Sequence, residues 1–317
     1  MTLLLTDDQV KQLVSIDDVL PVVENMFFQE GQGEVTVVPR ERIQAGPNYL
    51  AYMGGANDYQ DKMGMKVYSH CGDNLQFYVI LFDSFSGELL LLTRADSLGR
   101  LRTAATSAIG AKYLSNNDSE TLAIIGSGYQ ASTQLEATCK VRGIKKILAY
   151  SRTKENCINF SKEMTSSLGI PVEPCQSAQD AVSNADIVIT ITTADSPVID
   201  SSWLTPGTTV IAPGNARWNA QEIDFGTIDQ SDLIVVDTIE GCKTEAGELM
   251  AAAEKGLFKW EQVKELSSIV SGESSGRTHD EELILFKFVG MGPLDIVTAQ
   301  LIYKKAIAYN IGTNIQL

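Results

Sequence analysis

Lys66 lies inside the apolar run KMGMKVY, and Arg102 stands among small residues in SLGRLRTAATSA. An isolated cation is costly to bury in such surroundings, and an anionic ligand would relieve that cost at both positions. Arg40 and Arg42 alternate in VTVVPRERIQA, a β-like run that would put both guanidinium groups on one face. Arg100 and Arg102 form a second such pair before the small-residue helix TAATSA. The chemistry these side chains share is recognition of a negatively charged group. The plain alternative for each is a charge solvated at an edge.

A second set of residues points to a phosphate-bearing ligand. In TLAIIGSGYQA, residues 121–131, a short apolar run feeds Gly126-Ser127-Gly128-Tyr129-Gln130-Ala131. Gly126 suits a tight turn at the strand end, Gly128 removes a side chain where a pyrophosphate approaches, and Ala131 lets a helix pack closely on the sheet. The helix start that follows offers unpaired N–H groups and the positive end of a macrodipole. Glycines also serve ordinary turns, so context decides. Here a strand precedes the turn and a second β-like run, KKILAYSR over 145–152, follows one helix later. The spacing predicts a dinucleotide site.

An Asp or Glu roughly 20 residues beyond such glycines would bind the ribose hydroxyls of NAD. This chain instead reads Tyr150, Ser151, Arg152, Thr153, Lys154. Hydroxyls and two cations suit a 2′-phosphate, and Arg152 can grip phosphate bidentately and stack on adenine. NADP(H) is therefore favoured, with NAD(H) left open. The alternative is that Arg152 and Lys154 solvate a helix start.

At 317 residues, with 44% hydrophobic and 21% charged content, the chain fits a globular protein of two domains. A net charge of −15 repels phosphate backbones, which argues against a nucleic-acid partner. Cys71, Cys139, Cys157, Cys175 and Cys242 form no Cys-x-x-Cys, and the only histidines are His70 and His279, so no metal site is expected. His70 and Cys71 are neighbours on a strand and would point to opposite faces, which disfavours a nucleophile pair. Scattered thiols, a start without a basic region and no apolar stretch near the ~18 residues of a membrane span suggest a cytoplasmic protein with no membrane partner.

The elements that must position these residues read as follows. A helix is expected at the start, capped by Asp7 or Asp8, then a second from Ser15 or Asp17 to Gly31. Strands follow in VTVVPRERIQA, YLAYMGG, KMGMKVYSH, FYVILFDS and GELLLLTR, mostly antiparallel. Residues 97–114 read as a helix leading into a second domain. There β and α runs alternate: strands at 121–126, 146–151, near PVEP, 186–193, 208–214 and 232–237, with helices near 130–141, 154–168 and 177–184. Such alternation implies a doubly wound parallel sheet. The last segment, GPLDIVTAQLIYKKAIAYNIG, reads as an amphipathic helix able to fold back onto the first domain.

The strings LGRLRTAATSAIGAKYL, IIGSGYQA, GRTHDEELILFKFVGMGPLD and NIGTNIQL together resemble the ornithine cyclodeaminase/μ-crystallin family, over essentially the whole chain. The resemblance implies an α/β protein. A Rossmann dinucleotide-binding domain over 115–292 would sit beside a discontinuous α+β substrate and dimerisation domain over 1–114 and 293–317, in a homodimer. It implies that two arginines and a lysine hold an amino-acid carboxylate near the nicotinamide. The lysine falls on Lys66, the second arginine on Arg102, and the first on Arg42 or Arg40. It places cofactor contacts beyond the sixth strand and around Gly290 to Asp295; Thr193, ending DIVITITT, is a further cofactor candidate. Cyclodeaminases carry an aspartate after the strand matching TTVIAPG, where this chain has Asn215, a candidate substrate contact whose amide cannot act as a base. Loss of ammonia from ornithine is thus in doubt.

The expected activity is NAD(P)H-dependent oxidoreduction of the C–N bond at the α-carbon of a small amino or imino acid, with reduction of a cyclic ketimine carboxylate leading. Lys66 would complete the carboxylate clamp or donate the proton. The alternatives are ornithine cyclodeamination, alanine-type dehydrogenation, and a catalytically idle NADP(H)-binding protein.

Overall fold

A computed structural model describes residues 1–316. In chain order the first stretch comprises β1 (Thr2–Leu5), α1 (Asp7–Leu13), α2 (Ile16–Gly31), β2 (Val35–Ala45), β3 (Asn48–Asn57), β4 (Lys62–Cys71), β5 (Asn74–Asp83), β6 (Leu89–Arg94) and α3 (Asp96–Leu114). Then come β7 (Thr121–Ile125), α4 (Ala131–Val141), β8 (Lys146–Tyr150), α5 (Lys154–Leu168), β9 (Val172–Pro174), α6 (Ala178–Val182), β10 (Ile187–Thr190) and β11 (Thr209–Ala212). The remainder is α7 (Phe225–Gln230), β12 (Leu233–Val236), α8 (Ile239–Glu245), α9 (Gly247–Glu254), β13 (Lys264–Glu265), α10 (Leu266–Val270), β14 (Ile284–Lys287), α11 (Gly292–Tyr309) and β15 (Thr313–Ile315).

The chain divides into two compact units, residues 1–106 with 290 onward, and residues 107–289. The sequence reading put the divisions at 114/115 and 292/293. The first falls instead within the continuous helix α3, because Arg102 on its first half meets Asp295 whereas Gly110 on its second half abuts the Phe286 ring.

The first unit holds a seven-stranded sheet in the order β15-β1-β6-β5-β4-β3-β2, antiparallel except where β1 runs parallel to β6. Alternation sends Ala51, Met53, Lys66, Tyr68, Val79, Leu81 and Leu91 to the buried face, on which α11 packs. The opening residues differ from expectation: TLLL is a strand, because Leu3 and Leu5 are buried while Leu4 is exposed, and Thr6 rather than Asp7 or Asp8 caps α1. Helix α11 differs too. Its first half, Gly292 to Gln300, is buried all round, so it is a core helix there and not an amphipathic one.

The second unit is an eight-stranded parallel sheet in the order β13-β12-β14-β11-β10-β7-β8-β9. Its strands are buried apolar runs, as parallel strands covered on both faces require. From β7 the strand order proceeds one way to β8 and the other way to β10, so β7/β10 is the switch point where doubly wound sheets bind ligands. No helix among the described residues is long and apolar enough to cross a membrane.

Candidate active site

The glycine turn leaves the end of β7 at that switch point. Gly126 has φ +114°, and a Cβ there would lie 2.5 Å from the Ile191 carbonyl oxygen, so both the conformation and the space require glycine. Nothing stands within 4 Å of where a Gly128 Cβ would be. Its missing side chain serves access from outside and not internal packing. A cavity of about 480 Å³ opens here, lined by Gly126, Ser127, Gly128, Tyr150, Ser151, Arg152, Thr153, Asn156 and residues 191–195 with Val198. Thr193 is therefore on its wall, while Tyr129 and Gln130 are outside the lining. A dinucleotide fits this donor set: glycine backbone at the strand end, and hydroxyls with an exposed arginine where the second strand ends.

The cationic cluster forms within the first unit. Lys66 on β4 is 5% exposed, Arg102 on α3 is 6% exposed, and both reach one carboxylate, that of the fully buried Asp295 on α11. Lys66 Nζ and Arg102 Nε each donate to Asp295 Oδ1 at 3.2 Å. Asp295 Oδ2 has no hydrogen-bond partner among the described residues. The sequence reading looks to an anionic ligand to relieve these two cations; within the fold Asp295 already neutralises one charge and leaves a surplus. Lys66 Nζ also lies 5.0 Å from the Phe77 ring centroid. Burial, together with the charges of Arg102 and Arg40, outweighs Asp295 and pulls the Lys66 ammonium down to about 8.

The two alternating arginines separate. Arg40 is half-buried, its Nη2 is 3.5 Å from Met53 Sδ, and Met53 is opposite Lys66 in the β3/β4 register. Arg42 is exposed, with its guanidinium 5.9 Å from the Tyr49 ring centroid. Arg100 and Arg102 are not a strand-like pair, since both lie inside α3, where a two-residue step points them apart. Gly290 sits at φ +83°, and a Cβ there would come 2.8 Å from Arg102 Nη1. That glycine, placed by resemblance at the cofactor, is structurally a neighbour of the arginine.

Asn215 adopts φ +43°. Its Nδ2 donates to the Ala194 carbonyl at 2.5 Å and its Oδ1 accepts from Arg217 Nε at 2.8 Å. Arg217 in turn pairs with Asp195, which lines the cavity. Sequence reasoning missed the buried Glu222, Glu248 and Lys287 in this unit; the only available signal was a lysine within the apolar run LILFKFV. No group of three His, Cys, Asp or Glu able to hold a metal occurs among the described residues.

A model of the ornithine cyclodeaminase/mu-crystallin family matches residues 1–310. Delta(1)-pyrroline-2-carboxylate reductase of Bacillus cereus is 32% identical, with 99% of each chain covered. The structure of Thermococcus litoralis Delta(1)-pyrroline-2-carboxylate reductase in complex with NADH and L-proline gives a TM-score of 0.94 at 33% identity, covering 99% of this chain and 100% of that one. An archaeal alanine dehydrogenase dimer with bound NAD gives a TM-score of 0.94 at 29% identity, covering 100% of this chain and 99% of that one. With its glycine turn, its doubly wound sheet and this whole-length match, the chain belongs to the ornithine cyclodeaminase/mu-crystallin family.

Proposed function

We propose that this chain is an NAD(P)H-dependent oxidoreductase that acts on the carbon–nitrogen bond at the α-carbon of an amino or imino acid, chiefly by reducing a cyclic ketimine carboxylate of the Delta(1)-pyrroline-2-carboxylate kind. The observation that carries this is the buried Lys66–Asp295–Arg102 cluster, in which two cations share one carboxylate oxygen. Its surplus charge suits one carboxylate of a small acid. Bound NAD(P)H supplies the hydride that reduces the C=N carbon. Arg102 and Arg40 clamp the carboxylate and fix which carbon is presented; positioning of this kind is worth up to ~7–11 kcal/mol of barrier. Lys66, brought to about 8, holds the proton that the imine nitrogen takes up as C=N becomes CH–NH. Asn215 supports the loop beside the cavity through its amide, which suits a reaction with no distal amine to deprotonate.

NADP(H) is the favoured cofactor, because Ser151, Arg152 and Thr153 line the cavity where the second strand ends and no carboxylate lies among them. NAD(H), held by the two related structures, is accepted as well. A second copy of the chain is proposed to cover the outer face of the seven-stranded sheet, where Ile43 is 57% exposed, Leu50 40% and Met65 38%. A Met65→Glu variant should then sediment as a monomer, and an unchanged sedimentation profile would refute that interface. Five free cysteines support a cytoplasmic setting.

The test is a spectrophotometric assay of NADPH and NADH oxidation with cyclic ketimine carboxylates, and with pyruvate plus ammonia as the alanine-dehydrogenase alternative that the archaeal relative favours. Ketimine-dependent oxidation, faster with NADPH, is expected. In Arg152→Ala the NADPH advantage should shrink roughly tenfold. No oxidation with any of these acids would sink the reading.

A further inference from the structure

Glu222 is a fully buried carboxylate with no place in the chemistry above. Its Oε1 accepts from the Thr192 backbone N–H at 2.6 Å and the Thr192 hydroxyl at 2.7 Å, and its Oε2 accepts from the Thr190 hydroxyl at 3.0 Å. Its main-chain carbonyl accepts from Val198 N at 2.9 Å. Thr192 and Val198 both line the cavity beside the glycine turn. One residue therefore grips the cavity wall at both of its ends.

The grip is anchored from behind. A Cβ on Gly214 would lie 2.3 Å from either Glu222 carboxylate oxygen, so the 214 backbone is seated directly against the carboxylate. Gly214 N donates to the Thr190 carbonyl at 3.2 Å, and the Gly214 carbonyl accepts from Lys287 Nζ at 2.8 Å. Lys287 is also 2.8 Å from Glu248 Oε1, and both are fully enclosed. Stability alone gives a weak reason to bury a carboxylate here, since well-packed apolar groups commonly serve at least as well. A carboxylate that accepts three hydrogen bonds does hold its donors in one arrangement.

We propose that Glu222 is a positioning residue for dinucleotide binding, acting through Thr192 and Val198 to hold the 192–198 wall of the cavity in its ligand-ready shape. The inference rests on reading the 121–131 turn as a dinucleotide site. The experiment is calorimetric titration of wild type, Glu222→Ala, Glu222→Gln and Thr190→Val with NADPH and NADH, alongside steady-state kinetics. Loss of hydrogen bonds to a charged group should weaken dinucleotide affinity in Glu222→Ala by roughly 10- to 100-fold. Thr190→Val, which removes one bond at nearly constant volume, should weaken it by about three- to tenfold. Glu222→Gln, which keeps an acceptor for Thr192, should restore most of the affinity. The KM for dinucleotide should rise while kcat at saturating dinucleotide is largely retained, a split that general destabilisation does not produce. Wild-type affinity in folded Glu222→Ala, or in Thr190→Val should Glu222→Ala fail to fold, overturns the inference while leaving the dinucleotide reading intact. Failure of wild type to bind either dinucleotide overturns both.

Discussion

Lys66 and Lys287 both sit buried on strands, one in each unit, and they are partnered in opposite ways. Lys287 meets two main-chain carbonyls and Glu248, with Glu222 packed against the same loop, so the local balance is negative. Lys66 shares a single Asp295 oxygen with Arg102, and the balance there is positive. Burial acts against the surplus charge in each place: it pulls Lys66 down to about 8 and pushes the Glu222 carboxyl up. A buried lysine whose donors are satisfied by the fold holds loops in place. One that shares a single carboxylate with a second cation is prepared for an anion that arrives later.

That contrast can be broken most directly by deleting each charge. Lys66→Met should lower kcat/KM by roughly 10²- to 10⁴-fold, the usual worth of a positioned proton donor, with the folded state intact. Lys287→Met should instead strand two carboxylates and cost about 3–5 kcal/mol of stability, read as a lowered denaturation midpoint. If the two variants exchanged these phenotypes, the distinction would be wrong. A smaller effect sharpens it. Unfolded Lys66 titrates near its ordinary 10.5 and folded Lys66 near about 8, so between those values the unfolded chain binds more protons and stability rises with pH. Below about pH 8 the cost of enclosing the charge is fully present. The unfolding free energy of wild type should therefore gain on that of Lys66→Met as pH rises through this window, and a constant difference would contradict it.

Much of this was legible in the sequence because periodicity survives without knowledge of neighbours. The alternating strands β2 to β6 and the glycine turn after β7 fall where the patterns put them. Strand β1 was hidden because TLLL runs directly into helix-start signals, and β14 because Lys287 interrupts its apolar run. At the site, Lys66 and Arg102 stood out as cations in apolar company. Asp295 was expected at the cofactor and not as their partner, since it lies 229 and 193 residues away in sequence and only the packing of α11 on the sheet brings it to them. Glu222 escaped notice for the same reason. Its donors are two threonine hydroxyls and a loop amide, none of which leaves a local pattern.

Gly290 carries one more implication, for anyone wishing to retune acid preference. With a left-handed backbone and the Arg102 guanidinium where a methyl group would go, that codon admits no variation without displacing the arginine. Library designs aimed at new substrates should hold residue 290 constant and diversify elsewhere, because any side chain introduced there would alter the anion grip before it altered the choice of acid.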